Sequence, residues 1–454
     1  MKRKRTYGSV DVESLELDAL LKFLAVGCIV AVDVAKSKFV AAIATAAGEV
    51  VRLVRFEHPR QTGLFLRILV ALRDAKLEPR VTMEPTGTYG DALRYQCDRL
   101  QLPVHMASPK HTHDLAEVLD GVPSMHDPKA AVALARLAVI RPTKRWEPDS
   151  DAKRELRALL DRRAPLSRTQ TLYYGLLEGM LARHWPELDA LLDVHAQRSW
   201  MSLLQRLPGP QAVAASPEEA TEVLRQASRG SLPQASILAV VESARTTLGV
   251  PMTKEERVTL GVIAQSIERE TRQMDAIDKQ LGDLCRLDPE MARMASVIGP
   301  ACTTAIVGYI GRPSSFANAG ALEKAMGLNL RERSSGEKKG RLSITKRGPG
   351  QVRKLLYLAA LRTLMSDPVV AAWYQGRAAY RRDMKGAAVV AVMRKLARAL
   401  WHVARGSDFD STKLFDTRRL EVKPPHKRAG FLARDRSPSA TPTIHPGGAP
   451  QPTP

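Results

Sequence analysis

Hydrophobic and polar positions fall into three successive patterns along the chain. Over residues 1–145, short apolar runs rich in β-branched residues alternate with helical periodicity. Residues 11–24 have the spacing of a short leading helix. Residues 28–34 read as a buried strand, 36–38 as a turn, and 39–44 and 49–56 as two further strands. Helical spacing returns at 61–75, a fourth strand at 80–83 ends in Glu84-Pro85, and a helix follows at 91–100. A short strand at 103–107 and helices at 112–119 and 128–140 complete this part.

The second pattern, residues 146–290, is helical throughout. A long stretch at 152–181 is expected to be interrupted at Pro165, because proline lacks the N–H that a helix interior needs. Helices are also predicted at 188–207, 217–227 and 255–284. In the last of these Ile263, Ile267, Met274, Ile277 and Leu281 recur close to heptad spacing. This is the pattern of a helical, coiled-coil arm, serving either a dimer or packing within the chain. His184 and His195 are isolated there and read as structural or solvated.

The third pattern, residues 291–420, is mostly helical. Two apolar helical segments within 294–311 flank Ile298-Gly299-Pro300, a helix-hairpin-helix-like turn. Its backbone N–H groups are suited to gripping a DNA phosphate without reading sequence. Further helices are predicted at 316–326, 350–365, 373–382 and 387–405. From residue 421 to 454 Pro, Ser, Thr and Gly dominate, as in a disordered tail.

Charge changes the picture most. Lys and Arg number 69 against 48 Asp and Glu, a net charge of +21 over 454 residues, which points to a nucleic-acid partner. Aromatic residues make up only 5%, so base stacking is not the expected mode of binding. Cys28, Cys97, Cys285 and Cys302 are scattered without metal-ligand spacing, which argues against a disulfide framework or zinc site and fits a reducing cytosol. The apolar run at 23–32 is too short to span a membrane, so neither a signal peptide nor a transmembrane helix is expected.

Two groups of residues carry candidate chemistry. A strand hairpin, a third strand, then alternating helices and strands is the order of a ribonuclease-H-like α/β domain. In that order Asp33 lies in an apolar strand, Glu84 closes another and Asp127 opens a helix. Converging at one sheet edge, three carboxylates would hold Mg²⁺. Each also has an ordinary alternative: a turn residue, a solvated residue before proline, and a helix N-cap ahead of Pro128. The second group lies at 327–355. Ser334 and Ser335 sit among Arg331, Arg333, Lys338, Lys339, Arg341, Lys346, Arg347, Arg353 and Lys354, punctuated by Gly327, Gly336, Gly340, Gly348 and Gly350. Hydroxyls among arginine forks and flexible backbone suit a nucleophile on phosphorus; a solvated basic loop is the plainer alternative.

In this order the stretches VAVDVAKSKF, VTMEPTGTYG, SMHDPKAAVALARL, VIGPACTTAIVGYIG and MGLNLRERSSGEKKGRLSITKRGPGQVRKLLY resemble the DEDD insertion-sequence transposases. This is the IS one-ten group, also described as bridge-RNA-guided DNA recombinases. The resemblance covers nearly the whole chain except the tail. It implies a RuvC-like domain at 1–145, a coiled-coil arm at 146–290 and a C-terminal transposase domain at 291–420. It also implies a Mg²⁺ site at Asp33, Glu84 and Asp127, and a serine that forms a covalent link to DNA. Of the two serines Ser335 is preferred, since it precedes the flexible Gly336. Implied partners are DNA, a structured guide RNA and further copies of the chain, as a dimer or tetramer. The implied setting is the bacterial cytoplasm at the nucleoid, with no membrane.

There are two departures. The family pattern has a second Asp three residues after Asp127, one helical turn on, where this chain has Ala130. His126, Glu117 and Asp120 are nearby substitutes, none with the expected spacing. Val297 stands where the hairpin motif usually has glycine. The leading expectation is a recombinase that moves its own element. Its rivals are an impaired copy that only binds nucleic acid, and a RuvC-like nuclease without serine chemistry.

Overall fold

A computed structural model of the chain describes residues 7–85, 87–122, 124–191, 199–332, 340, 342–379 and 385–420. These fall into two compact units that meet in sequence between Ser150 and Asp151. Each is described by itself.

The first unit is built on a seven-stranded mixed sheet. Its strands are β1 (Val10–Asp11), β2 (Ile29–Asp33), β3 (Lys38–Ala44), β4 (Val50–Glu57), β5 (Arg80–Met83), β6 (Val104–Met106) and β7 (Lys144–Arg145), in the spatial order β1-β4-β3-β2-β5-β6-β7. β2, β3 and β4 form an antiparallel meander; β5 joins β2 in parallel, and β6 joins β5 in parallel. Its helices are α1 (Leu17–Leu21), α2 (Thr62–Asp74), α3 (Asp91–Arg99), α4 (Pro109–Asp120) and α5 (Asp127–Ile140). Successive strand residues face opposite ways. Val30, Val32, Ala41 and Ile43 therefore join a core with Phe65 and Leu69 of α2 and Leu93 of α3. Ile29, Ala31, Ala42 and Ala44 join another with Ala131, Leu134 and Ala138 of α5. Burial on both faces explains why these strands read as continuous apolar runs.

Among its described residues the second unit is helical, apart from one two-stranded hairpin. Its two longest helices, α6 (Asp151–His184) and α12 (Lys254–Leu287), have 34 residues each and are about 50 Å long. They lie antiparallel. Arg163 grips Asp278 at 2.6 and 2.8 Å, Gln170 donates to Thr271 at 2.8 Å, and the His184 ring stands 3.5 Å from Glu256. Between them in sequence come α7 (Leu188–Leu191), α8 (Ser199–Arg206), α9 (Pro210–Ala215), α10 (Pro217–Ser228) and α11 (Gln234–Thr246). These surround a core containing Trp185, Trp200, Leu181, Ile263 and Ile267. At the opposite ends of α6 and α12, Leu156, Leu160, Ile277 and Leu281 enter a second core. That core is shared with α13 (Pro289–Ile298), α14 (Pro300–Tyr309), α15 (Ala319–Ala325), α16 (Gly350–Ser366), α17 (Pro368–Ala379) and α18 (Lys385–Ala404). Buried Glu323 ties α15 to Arg394 and Arg398 of α18 at 2.7 and 3.3 Å.

Several expectations are corrected. Residues 11–24 are not one helix: β1 adds a strand beside β4, a 3₁₀ turn covers Val12–Ser14, and only Leu17–Leu21 is α-helical. Strand pairing and a side-chain cap from Asp11 to the Glu13 amide compete there with helix formation. α6 runs through Pro165 without a break. Interior proline costs about 3 kcal/mol. Buried Leu156, Leu160, Leu177 and Leu181, with the Arg163–Asp278 fork, hold the helix on both sides of it. The predicted helix at 188–207 is two described helices, α7 and α8, while residues 192–198 lie outside the described residues. Residues 380–384 and the tail at 421–454 lie outside them as well. Among the described residues no single helix is long and apolar enough to cross a membrane. The apolar bent pair Gly350–Ser366 and Pro368–Arg377 owes its composition to core packing by Val352, Leu356, Ala360 and Val370.

Candidate active site

The parallel pairing of β2 with β5 sets Val32 opposite Met83. The next residue on each chain is a carboxylate, Asp33 and Glu84, so both emerge at one end of the sheet. The β6 strand ends at the same side and leads into α4, whose Pro109, Thr112 and His113 form one wall. Met125, His126, Asp127 and Ala130, from the start of α5 and the loop before it, form the other. The result is an open cleft of about 300 Å³ that all three predicted carboxylates line.

The charge of this cleft is one-sided, because no Lys or Arg lines it among the described residues. Burial raises the Asp33 carboxyl to about 6, and the charges of Asp127 and then Glu84 add to the rise, against the Val34 amide that lowers it. Asp127 is not the N-cap. His126 caps α5, its Nδ1 accepting from the Lys129 amide at 3.3 Å, and Asp127 is the first helical residue. A carboxylate in the first turn is favoured by the helix dipole.

Two cations are held behind the cleft and turned away from it. Arg94, nearly buried, reaches the Glu84 carbonyl at 3.5 Å and pairs with Asp91. Lys129 is 1% exposed and donates to Asp120 at 2.6 Å and to the carbonyls of Val122 and Ser124 at 2.6 and 3.0 Å. Asp120 also accepts from the Tyr7 hydroxyl at 2.9 Å. The Lys129 bond, then the Val122 amide and Tyr7, hold the Asp120 carboxyl below its usual range. Sequence reasoning missed Arg94, Lys129 and His113; in sequence they are unremarkable helical residues.

Ala130, where the resemblance leads a second Asp to be expected, lines the cleft. Of the substitutes considered, Asp120 is bound to Lys129 and Glu117 does not line the cleft, whereas His126 does. For a divalent cation, the donor chemistry fits: hard oxygen groups, one of them raised by burial and then by its neighbours' charge, and no Lys or Arg lining the cleft among the described residues. Yet no three His, Cys, Asp or Glu side chains among the described residues are drawn together closely enough to hold a metal ion.

In the second unit the serine-rich stretch is bracketed by a hairpin, β8 (Leu330–Arg331) pairing antiparallel with β9 (Ser343–Ile344). At its base the backbones cross closely. A Cβ on Gly348 would stand 2.4 Å from the Ala325 carbonyl, and one on Gly327, at φ +71°, 2.8 Å from the Arg347 amide. Ser334, Ser335, Arg333, Gly336, Lys338, Lys339 and Arg341 lie outside the described residues. Of the other predicted nucleic-acid contacts, Lys346 and Arg347 are exposed, and Arg331 is exposed with a bond to Ser343 at 3.2 Å. Lys354 is exposed and reaches Ser167 at 3.4 Å. Arg353 is turned inward, donating to the carbonyls of Met326 and Gly348 at 3.3 and 2.7 Å.

α13 and α14 form the predicted helix pair about Gly299, whose φ is +79°. The space beside Gly299 is filled by Arg362 of α16, which donates to the Ile298 carbonyl at 2.7 Å. Glycine suits the positive φ there, and a Cβ would stand 3.0 Å from the guanidinium, which would have to give slightly.

Two transposase family profiles match the chain. A DEDD transposase profile of the IS110 group covers residues 30–186, and a profile described as the transposase IS116/IS110/IS902 family covers residues 292–375. A search of curated proteins found no match. The first profile takes in the strands and helix that carry Asp33, Glu84 and Asp127; the second takes in the helix pair and the hairpin. Together they span more than half of the sequence, and the chain belongs to the IS110 group of DEDD transposases, enzymes of DNA transposition.

Proposed function

We propose that this transposase cuts and rejoins DNA through a serine nucleophile, Ser335 or its neighbour Ser334, assisted by a Mg²⁺ site at Asp33, Glu84 and Asp127. The observation that carries the reading is a cleft lined by three carboxylates and, among the described residues, by no Lys or Arg. The sheet order around it, an antiparallel meander continued by two parallel strands, supports a ribonuclease-H-like, RuvC-like domain. The antiparallel α6 and α12 support the reading of an arm.

In the cutting step a serine oxygen forms a bond to phosphorus and the bond from phosphorus to one deoxyribose oxygen breaks. The serine proton leaves to solvent or a base, and the freed deoxyribose oxygen takes up a proton. Rejoining is the reverse displacement by a deoxyribose hydroxyl on the phosphoserine, so the phosphodiester is kept without an outside energy source. A bound divalent cation supplies charge neutralisation at the phosphate. Asp33, Glu84 and Asp127 would hold it, and the exposed Lys346 and Arg347 support a role in holding the DNA backbone. Recognition of element ends and target through a structured guide RNA, by an oligomer of this chain, belongs to the same proposal.

A second reading is favoured by one observation. Ala130 lines the cleft where the family pattern has Asp, so this copy binds nucleic acid with its strand exchange impaired. One experiment separates the two. The purified chain is incubated with element ends, the flanking RNA and Mg²⁺, and a denaturation-resistant protein–DNA adduct is sought and its residue mapped. An adduct at Ser335 or Ser334 supports the first reading. Its absence, with binding intact and an Ala130→Asp chain active, supports the second. Cleavage that survives loss of both serines would sink the serine mechanism.

A further inference from the structure

Lys129 follows Asp127 by two residues, in a chain rich in cations for nucleic acid. Its sequence position invites the role of a phosphate contact. The structure gives its ammonium no such freedom. It is 1% exposed, and each of its three N–H bonds has an acceptor: Asp120 Oδ1 at 2.6 Å, Val122 O at 2.6 Å and Ser124 O at 3.0 Å.

Those acceptors lie at the end of α4 and along the loop that leads into α5. The anchoring continues on both sides of it. Asp120 Oδ2 accepts from Tyr7, whose ring packs edge-on against His126 at 5.1 Å between centroids. The Lys129 amide donates to His126 Nδ1, and the Ala130 amide to the His126 carbonyl at 3.0 Å. One residue thus holds the loop with its side chain and the helix cap with its backbone. Asp127 lies between these two anchors and lines the cleft.

We infer that Lys129 is a positioning residue of the carboxylate cleft, clamping the loop before α5 and so fixing Asp127 beside Asp33 and Glu84. The inference rests on the proposed metal-binding role of that cleft. Groups that orient metal ligands change metal affinity about 10- to 100-fold when removed. Asp120 and Tyr7 complete the clamp and act in the same direction.

The test uses the full chain, Mn²⁺ alone as the probe, and the variants Lys129→Met, Asp120→Asn and Asp127→Asn. Mn²⁺ affinity is read from the free-ion electron paramagnetic resonance signal, and amide exchange is followed at Val122, Ser124 and Met125 against Ile29–Asp33. Lys129→Met is expected to weaken Mn²⁺ binding at least about tenfold. It is also expected to speed exchange in the loop while the β2 strand keeps its protection. A purely structural role would loosen the loop and leave Mn²⁺ affinity unchanged. Loss of Mn²⁺ binding in Asp127→Asn but not in Lys129→Met, or unchanged loop exchange in Lys129→Met, overturns the inference. Wild-type affinity in Asp127→Asn instead overturns the proposed role of Asp127 in the cleft. Should Lys129→Met fail to fold, Asp120→Asn carries the test, with a smaller loss of Mn²⁺ affinity expected and an unchanged affinity overturning it.

Discussion

The carboxylate cleft of the first unit and the hairpin region of the second use cations in opposite ways. Around the cleft, Lys129 and Arg94 are buried behind the walls and bound to backbone carbonyls, so the cavity itself stays negative. In the hairpin region Lys346 and Arg347 face solvent, while Arg353, of the same residue type and only six positions from Arg347, is turned inward onto carbonyls. A basic residue near a candidate site is therefore either a ligand contact or a scaffold bolt.

The largest expected effect lies in the hairpin region. Replacing the proposed nucleophile, by Ser335→Ala or, should Ser334 fill that role, by Ser334→Ala, is expected to lower adduct formation at least about a thousandfold while DNA retention on a gel is kept. Equal adduct yield in both single variants and their double would remove the serines from the mechanism.

Next comes the crossing that supports the hairpin. Gly348→Ala drives a Cβ to 2.4 Å from the Ala325 carbonyl, and a loss of roughly 2–4 kcal/mol is expected in denaturant unfolding of the second unit. An unchanged midpoint would mean that the crossing gives way freely.

The cleft should respond with the reverse sign. Folding raises the Asp33 carboxyl to about 6, so the protonated form is the one the fold prefers. Its contribution is complete below the unfolded value near 4 and is lost as pH rises through about 6. Asp33→Asn should thus stabilise the cation-free chain at pH 7.5 by roughly 2–3 kcal/mol, with little gain at pH 4, while abolishing cation binding. For the unchanged protein, added Mg²⁺ should raise the melting temperature more at pH 7.5 than at pH 5, where Asp33 carries its proton. A pH-independent rise would detach Asp33 from cation binding.

The smallest effects separate the two kinds of arginine. Arg353→Ala should lower stability by about 1–2 kcal/mol through its lost carbonyl bonds. Arg347→Ala should leave stability unchanged and reduce the salt slope of DNA binding by about one. The opposite assignment would reverse the roles given to them.

Much of the first unit is legible in the sequence. Runs such as 28–32 and 39–44 are apolar at every position because both sheet faces are covered, and helix 61–75 shows its buried face in its period. The convergence of Asp33, Glu84 and Asp127 follows from the order of strands and helices. The N-terminal stretch was less readable, since Val10–Asp11 becomes a strand only by pairing with Val54 and Arg55. Pro165 misled for a related reason, as a local penalty was outweighed by packing at both ends of α6.

From its residues alone, the chain's charge, its alternation of strands and helices and the order of its carboxylates and serines were determined, because these depend on composition and local periodicity. Only the tertiary structure decided that Lys129, Arg94, Arg353 and Arg362 donate to backbone carbonyls. A buried cation takes whichever acceptors the fold brings to it, and those carbonyls come from distant segments that no local pattern in the sequence can announce.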